Sequence, residues 1–394
     1  MAQAILAQGF SASPVYSTTH ASHLLCSRNP QRHLWCCADT PNLLSVNELF
    51  VNFSGRAPVV NMLASTAVTV LLVCLRVQSV VAYSDPWKFL IVSDARKGSI
   101  AYMPVVDGAP KDNAKMAILI PQSSALVHPQ GLAVDQARSR LYIADPDLKK
   151  IISYNLKHDH GKVKADGQNT IADNVEARWV TLDSIGNLYF SDEANNKIMR
   201  VDAQDVASGN ATAQVWYDTS HALISAPGGI IADNFKLYWT NKIQGHMAGV
   251  IISAPVNKDE GDVIPTTALS KNIEKAYGAC LVKNHVYYTA PEESLYAVDR
   301  GGGDPVTISN SLGNPRGCAW DGEGTMYIAD RGTNSILSFS APQELLQEVQ
   351  MQKVADFSDA FGVAVFSGAS RLGAVYILGG SLLSCLVALA LQDF

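Results

Sequence analysis

The sequence predicts an all-β fold: a six-bladed β-propeller closed by a C-terminal strand completing the first blade, with apolar helices at its two ends. Three observations predict it. One strand phrase recurs six times, a second lies about ten residues before it and a third four to eight residues after it, and an orphan copy of the second sits at the far end of the array.

The recurring phrase is Leu90-Ile-Val-Ser-Asp94, Leu141-Tyr-Ile-Ala-Asp145, Leu188-Tyr-Phe-Ser-Asp192, Leu237-Tyr-Trp-Thr-Asn241, Val286-Tyr-Tyr-Thr-Ala290 and Met326-Tyr-Ile-Ala-Asp330. Each copy is rich in β-branched and aromatic residues and stops at or near a turn-former, which is how a strand reads. A second phrase precedes five of the copies: Gly131-Leu-Ala-Val-Asp135, Trp179-Val-Thr-Leu-Asp183, Gly229-Ile-Ile-Ala-Asp233, Ala279-Cys-Leu-Val-Lys283 and Gly317-Cys-Ala-Trp-Asp321. A third strand follows every copy, as in Lys150-Ile-Ile-Ser153 and Ser335-Ile-Leu-Ser338, and a variable fourth fills the rest of each unit. Only the first unit lacks a second-phrase strand ahead of it. Gly362-Val-Ala-Val-Phe366 supplies one from the C-terminal end, and pairing it with Leu90–Asp94 leaves no open sheet edge. Asp94, Asp145, Asp192, Asn241 and Asp330, at the strand ends, resemble a ligand ring, but short polar side chains there cap turns by accepting backbone N–H bonds.

Outside residues 83–366 two apolar stretches stand apart. Residues 62–82 are read as a signal peptide cut before Tyr83, or as a signal anchor, with Met62 as the start of a secretory signal. Residues 1–61 are then a disordered extension or an upstream reading-frame artefact. Residues 367–394 are read as a GPI-attachment signal or a transmembrane tail: Leu372 to Leu391 carries no charge, and small residues beginning at Ser367 offer a lipid-attachment site. Asn210-Ala-Thr212 is a glycosylation sequon. The expected location is the secretory pathway and the cell surface, with the membrane reached through the C-terminal tail.

Composition sets limits. Charged residues are 17% and hydrophobic ones 47%, which excludes a disordered or supercharged chain. Formal net charge is −6, so no global basic field exists to hold nucleic acid. Two of the seven cysteines, Cys280 and Cys318, fall inside the propeller at the same offset of neighbouring first strands. Adjacent blades diverge from the axis, and that divergence weighs against a bridge between them.

The segments Asp192-Glu-Ala-Asn195-Asn-Lys-Ile198 and Asp330-Arg-Gly-Thr-Asn334-Ser-Ile336 resemble NHL repeats. Gly131 to Leu156 and Leu237-Tyr-Trp-Thr240 are similar to the YWTD propellers of lipoprotein receptors. The resemblance covers about residues 88–366. It implies the six-bladed fold and leaves activity open, since such folds host receptors, scaffolds and hydrolases.

Binding sites on this fold are built from loops around the channel mouth, where the approach to each first strand meets the end of each second strand. The candidate site residues there are His128, Gln130, Glu176, Arg178, Asn314, Arg316 and Asp359. The regucalcin and gluconolactonase family, which the fold also resembles, holds a divalent cation at this mouth with Glu, Asn and Asp. The matching positions here are Gln130, Arg178, Gly228, Gly278, Arg316 and Phe361, with no carboxylate and two guanidinium groups, so no metal or other cofactor is expected. Glu176, Asn314 and Asp359, at the adjacent offset, leave room for a displaced site. Arg178 and Arg316 lie on opposed blades and could clamp an anion; the simpler expectation pairs each with a nearby acid such as Glu176 or Asp321. No nucleophile motif is present: there is no G-x-S-x-G elbow and no H-E-x-x-H. The loop Asn241–Ala248 is longer than its counterparts and is a candidate for partner contact. The expected function is a membrane-tethered extracellular module that binds a protein or a glycan. The alternative is a secreted hydrolase or lyase of the gluconolactonase-like class.

Overall fold

The computed structural model describes residues 87–368, apart from 160, 210, 221–222, 243–249, 259–265, 272–274, 292 and 342–345. The readings of residues 1–61 and 62–82, of the tail beyond Gly368, of Asn210 and of most of the Asn241–Ala248 loop therefore lie outside the described residues. Among the described residues no helix is long and apolar enough to cross a membrane.

Six antiparallel sheets follow one another along the chain. Blade 2 is Leu132–Asp135, Arg140–Asp145, Lys150–Asp159 and Lys162–Asp173. Blade 3 is Ala177–Leu182, Leu188–Asp192, Lys197–Val201 and Gln214–Tyr217, with the short helix Ala203–Ser208 inserted before its last strand. Blade 4 is Pro227–Ala232, Lys236–Asn241, Val250–Pro255 and Thr267–Lys271. Blade 5 is Ala279–Val282, His285–Ala290, Ser294–Asp299 and Val306–Ser309, and blade 6 is Pro315–Trp320, Thr325–Asp330, Ser335–Ser340 and Gln352–Asp356. Blade 1 takes strands from both ends of the array. Trp87–Asp94 pairs with Ser99–Val106 on one side and with Ala360–Gly368 on the other, in the register Leu90↔Val365, Ile91↔Ala364 and Val92↔Val363. The orphan strand thus closes the ring as expected.

Residue alternation explains why the second strands are apolar on both faces. A strand sends successive side chains to opposite sides, and a blade is covered on both sides by its neighbours. Leu141 and Ile143 join a core with Phe89 and Ile91 of blade 1, whereas Tyr142 and Ala144 join one with Leu188 and Phe190 of blade 3. Around the ring the same switch recurs: Tyr189 packs with Leu237 and Trp239, Tyr238 with Val286 and Tyr288, Tyr287 with Met326 and Ile328, and Tyr327 with Leu90 and Val92. The six hydrophobic clusters are the six interfaces between blades. The second-strand tyrosines and Trp239 are therefore packing residues. The closing strand obeys the same rule, with Val363 and Val365 facing blade 6 and Phe366 facing blade 2.

One expectation is corrected here. Cys280 and Cys318 form a disulfide across blades 5 and 6, with 6.0 Å between their Cα atoms. Divergence is a property of the outer strands. The first strands ring the channel, where neighbouring backbones touch: a Cβ added to Gly278 would sit 2.2 Å from the Arg316 carbonyl oxygen, and one on Gly362 2.2 Å from that of Gln130. At such approach only glycine fits, and a bridge two residues further along spans the gap.

Candidate binding site at the channel mouth

The mouth is assembled by side chains that end the second strands. Asp145 accepts the backbone N–H groups of Val127 and His128 at 2.7 and 2.9 Å. Asp330 accepts those of Gly313 and Asn314 at 2.8 and 2.7 Å, and Asn241 accepts that of Ser225 at 3.1 Å. Asp94 and Asp192 close their own turns on Lys97 and Asn195. These residues are turn and loop anchors, as expected, and Asp145, Asn241 and Asp330 fix the approach to the first strands of blades 2, 4 and 6.

One position earlier, small hydroxyls tie blade to blade. Ser93 donates to the carbonyl of Gln130 at 2.7 Å, Thr240 to that of Tyr277 at 2.7 Å, and Thr289 to that of Arg316 at 2.7 Å. The recurrent Ser or Thr therefore sets the backbone of three mouth residues on the following blade. Ser93 also accepts the N–H of Gly362 at 2.7 Å, so the closing strand is held at the same point.

The resulting cavity has a volume of about 700 Å³. His128, Gln130, Arg178 and Arg316 line it, together with Trp179, Glu193, Lys242, Lys275, Tyr277, Arg331 and Phe361. Phe361 comes from the closing strand and packs on Trp179 with ring centroids 5.2 Å apart, so the mouth is complete only in the closed ring. The other three candidates stand outside the lining. Glu176 pairs with Lys149 at 2.8 Å. Asn314 contributes backbone groups, accepting from the Arg331 N–H at 3.2 Å. Asp359 is buried against Arg331, whose Nε donates to it at 2.7 Å, with Arg96 at 3.9 Å. The three oxygen-bearing side chains do not converge, and no group of three potential metal ligands occurs among the described residues.

The lining is cationic. Glu193 is shared by Arg178, at 3.0 Å, and Lys242, at 2.6 Å, through the same carboxylate oxygen. Arg178 thus pairs with an acid, though with Glu193 and not Glu176. Asp321 belongs to blade 6's far hairpin and pairs with Lys88 at 2.8 Å. Arg316 meets no carboxylate among the described residues. Its guanidinium lies 4.0 Å from the Tyr277 ring centre and donates to the Pro315 carbonyl at 3.2 Å. Desolvation, with repulsion from Arg331, pulls its pKa below the ordinary arginine value despite Tyr277. Lys242 is likewise held below the usual lysine value by burial, reinforced by Arg178 and Arg316 and only partly offset by Glu193.

Lining residues that were not among the candidate site residues share a simple signal in most cases. Glu193, Lys242 and Arg331 each directly follow the capping residue of a second strand, Asp192, Asn241 and Asp330. Tyr277 sits between the paired offsets that already define the mouth in every blade.

Solved structures share the overall fold at low sequence identity. A chain in the crystal structure of the nidogen/laminin complex superposes with a TM-score of 0.55 at 17% identity, covering 71% of this chain and 98% of that one. A protein from Lactobacillus plantarum aligns with a TM-score of 0.46 at 13% identity, over 71% of this chain and 99% of its own. Virginiamycin B lyase from Staphylococcus aureus aligns with a TM-score of 0.44 at 11% identity, over 70% and 84%. No protein-family model and no curated protein matches the chain. The fold is a six-bladed β-propeller, the architecture that the sequence resemblance implies.

Proposed function

We propose that this propeller is an interaction module, tethered to the membrane outside the cytosol, and that its channel-mouth face binds a protein partner. The observation that carries the reading is the mouth itself. It is a roomy cavity with aromatic walls and cations from four blades, held rigid by the capping and inter-blade bonds beneath it. The Cys280–Cys318 disulfide supports an oxidising compartment, and hence export. The neighbour solved as a nidogen/laminin complex supports a protein as the partner.

The test uses the full chain at the surface of living cells. Membrane-impermeant biotin should label it, and a partner cross-linked to it should be lost in Tyr277→Ala. The partner should be kept in Phe235→Asp, a change in the opposite face, where Phe235 is 79% exposed. A protein sealed from the biotin, or a partner lost only in Phe235→Asp, would overturn the reading.

A further inference from the structure

We propose that the mouth recognises a carboxylate, presented by an acidic side chain of the partner, with Arg316, Lys242 and Arg178 as the groups that hold it. The inference rests on the mouth being the binding face and goes further by naming the chemistry bound there.

Five cationic side chains, Arg178, Lys242, Lys275, Arg316 and Arg331, line one cavity, and Glu193 is the one carboxylate among its described lining residues. Each cation has an ordinary explanation if it owns a counter-ion. Arg331 does, in Asp359. Arg178 and Lys242 have half of one each, because they share a single oxygen of Glu193. Arg316 and Lys275 form no ion pair among the described residues, and Asp359, engaged by Arg331, acts on Arg316 only from a distance. The fold therefore holds like charges together in a partly desolvated place, an arrangement that costs stability and that a bound anion would offset.

Geometry favours a planar anion. Stacking on Tyr277 fixes the plane of the Arg316 guanidinium, and its bonds to the Pro315 carbonyl and the Tyr277 side chain leave other N–H donors of its fork for a ligand. A pre-oriented fork matches the two oxygens of a carboxylate. Gln130, 3% exposed, lines the same cavity with its side-chain oxygen unpartnered, and its amide can turn to donate. Residues 83–371 as a whole are acidic, with 26 basic and 33 acidic residues. Their distant field thus repels long polyanions, and attraction is confined to about one Debye length of the mouth, roughly 8 Å. That distance suits one or two carboxylates.

The experiment is calorimetric titration of the full-length protein with three probes at low and high salt: a capped Ala-Asp-Asp-Ala peptide, succinate and inorganic phosphate. The peptide should bind saturably and more weakly at high salt. Arg316→Gln should weaken it about tenfold or more, Arg316→Lys should do so less, and Lys353→Gln, far from the mouth, should change nothing. Should Arg316→Gln fail to fold, Lys275→Gln serves as the charge-removing variant. Succinate binding without peptide binding supports the carboxylate site and assigns it to a free acid instead of a protein. No saturable binding of peptide or succinate, tighter binding of phosphate than of both, or equal binding by wild type and Arg316→Gln would overturn the proposal. A partner captured in a Tyr277-dependent manner but indifferent to Arg316→Gln and to salt would sink this inference and leave the interaction function standing.

Discussion

Replacing Phe366 by alanine tests the closing strand at its most buried point. Phe366 is 1% exposed and packs in the core between blades 1 and 2, stacked on Phe89 at 6.2 Å and edge-on to His158 at 6.3 Å. Phe→Ala in a core costs about 3–5 kcal/mol, and the cost is greatest where the surroundings cannot collapse. Here they are strands already paired on both sides, so about 4 kcal/mol is expected. That is a large share of the roughly 5–15 kcal/mol that stabilises a typical fold. In urea titration, with a slope of about 3 kcal/mol/M, the midpoint should fall by somewhat more than 1 M. Phe89→Ala in the same background should add less than its separate effect, by about 1 kcal/mol, because the two rings are one contact. A loss below about 1 kcal/mol with an unchanged slope would mean that Phe366 is not inserted, and the reasoning from strand alternation would fail there.

Three further outcomes follow from the same interfaces. Reducing or removing the Cys280–Cys318 bridge, which closes a loop of sequence separation 38, should lower stability by about 4 kcal/mol in the chain-entropy view, read from unfolding with and without reductant. Gly362→Ala puts a methyl 2.2 Å from the Gln130 carbonyl oxygen and should cost about 1–3 kcal/mol, whereas Gly322→Ala, with nothing within 4 Å, should show only the strain of its left-handed φ of 87°. The ion cluster between blades 1 and 6 should make stability pH-dependent at both extremes. At Asp321, desolvation raises the pKa but is outweighed by the N–H groups of Gly324, Thr325 and Glu323 and by Lys88, so the net shift is downward. Its contribution is thus complete above the ordinary aspartate pKa of 3.8 and is lost as pH falls from there through the lower folded value. Lys88 is desolvated too, yet its bonds to Asp321 and Glu323 raise its pKa above 10.5; its contribution is complete below that pH and lost as pH rises through the folded value. Thermal unfolding of Lys88→Met across pH should flatten both slopes.

The architecture was legible because each second strand carries its own evidence. Leu-Tyr-Ile-Ala-Asp is apolar on both faces and stops at a cap, and that pattern repeats wherever a blade is sandwiched. The closing strand was legible from a count, one second-phrase strand too few at Leu90 and one too many at Gly362. Alignment by offset also brought His128, Gln130, Arg178 and Arg316 to one cavity. Of the offset that His128 occupies, Glu176 turns to Lys149 and Asp359 to Arg331 and Arg96, while Asn314 offers its backbone to the Arg331 N–H. Glu193 and Arg331 went unseen because the repeat was read only as far as the capping residue, one position short, and Lys242 was noticed only as part of the long Asn241–Ala248 loop. The disulfide was misjudged because blade divergence was applied to first strands, where glycines let the backbones touch.

Hydrogen exchange of the segment 360–368 in the full chain, followed by mass spectrometry, tests the central claim most directly. A ring closed by pairing this strand with Trp87–Asp94 predicts that its amides open with the same free energy as those of Arg140–Asp145 in blade 2. Exchange at the rate of an unstructured chain would contradict it, and would remove both the closed propeller and the mouth that Phe361 completes.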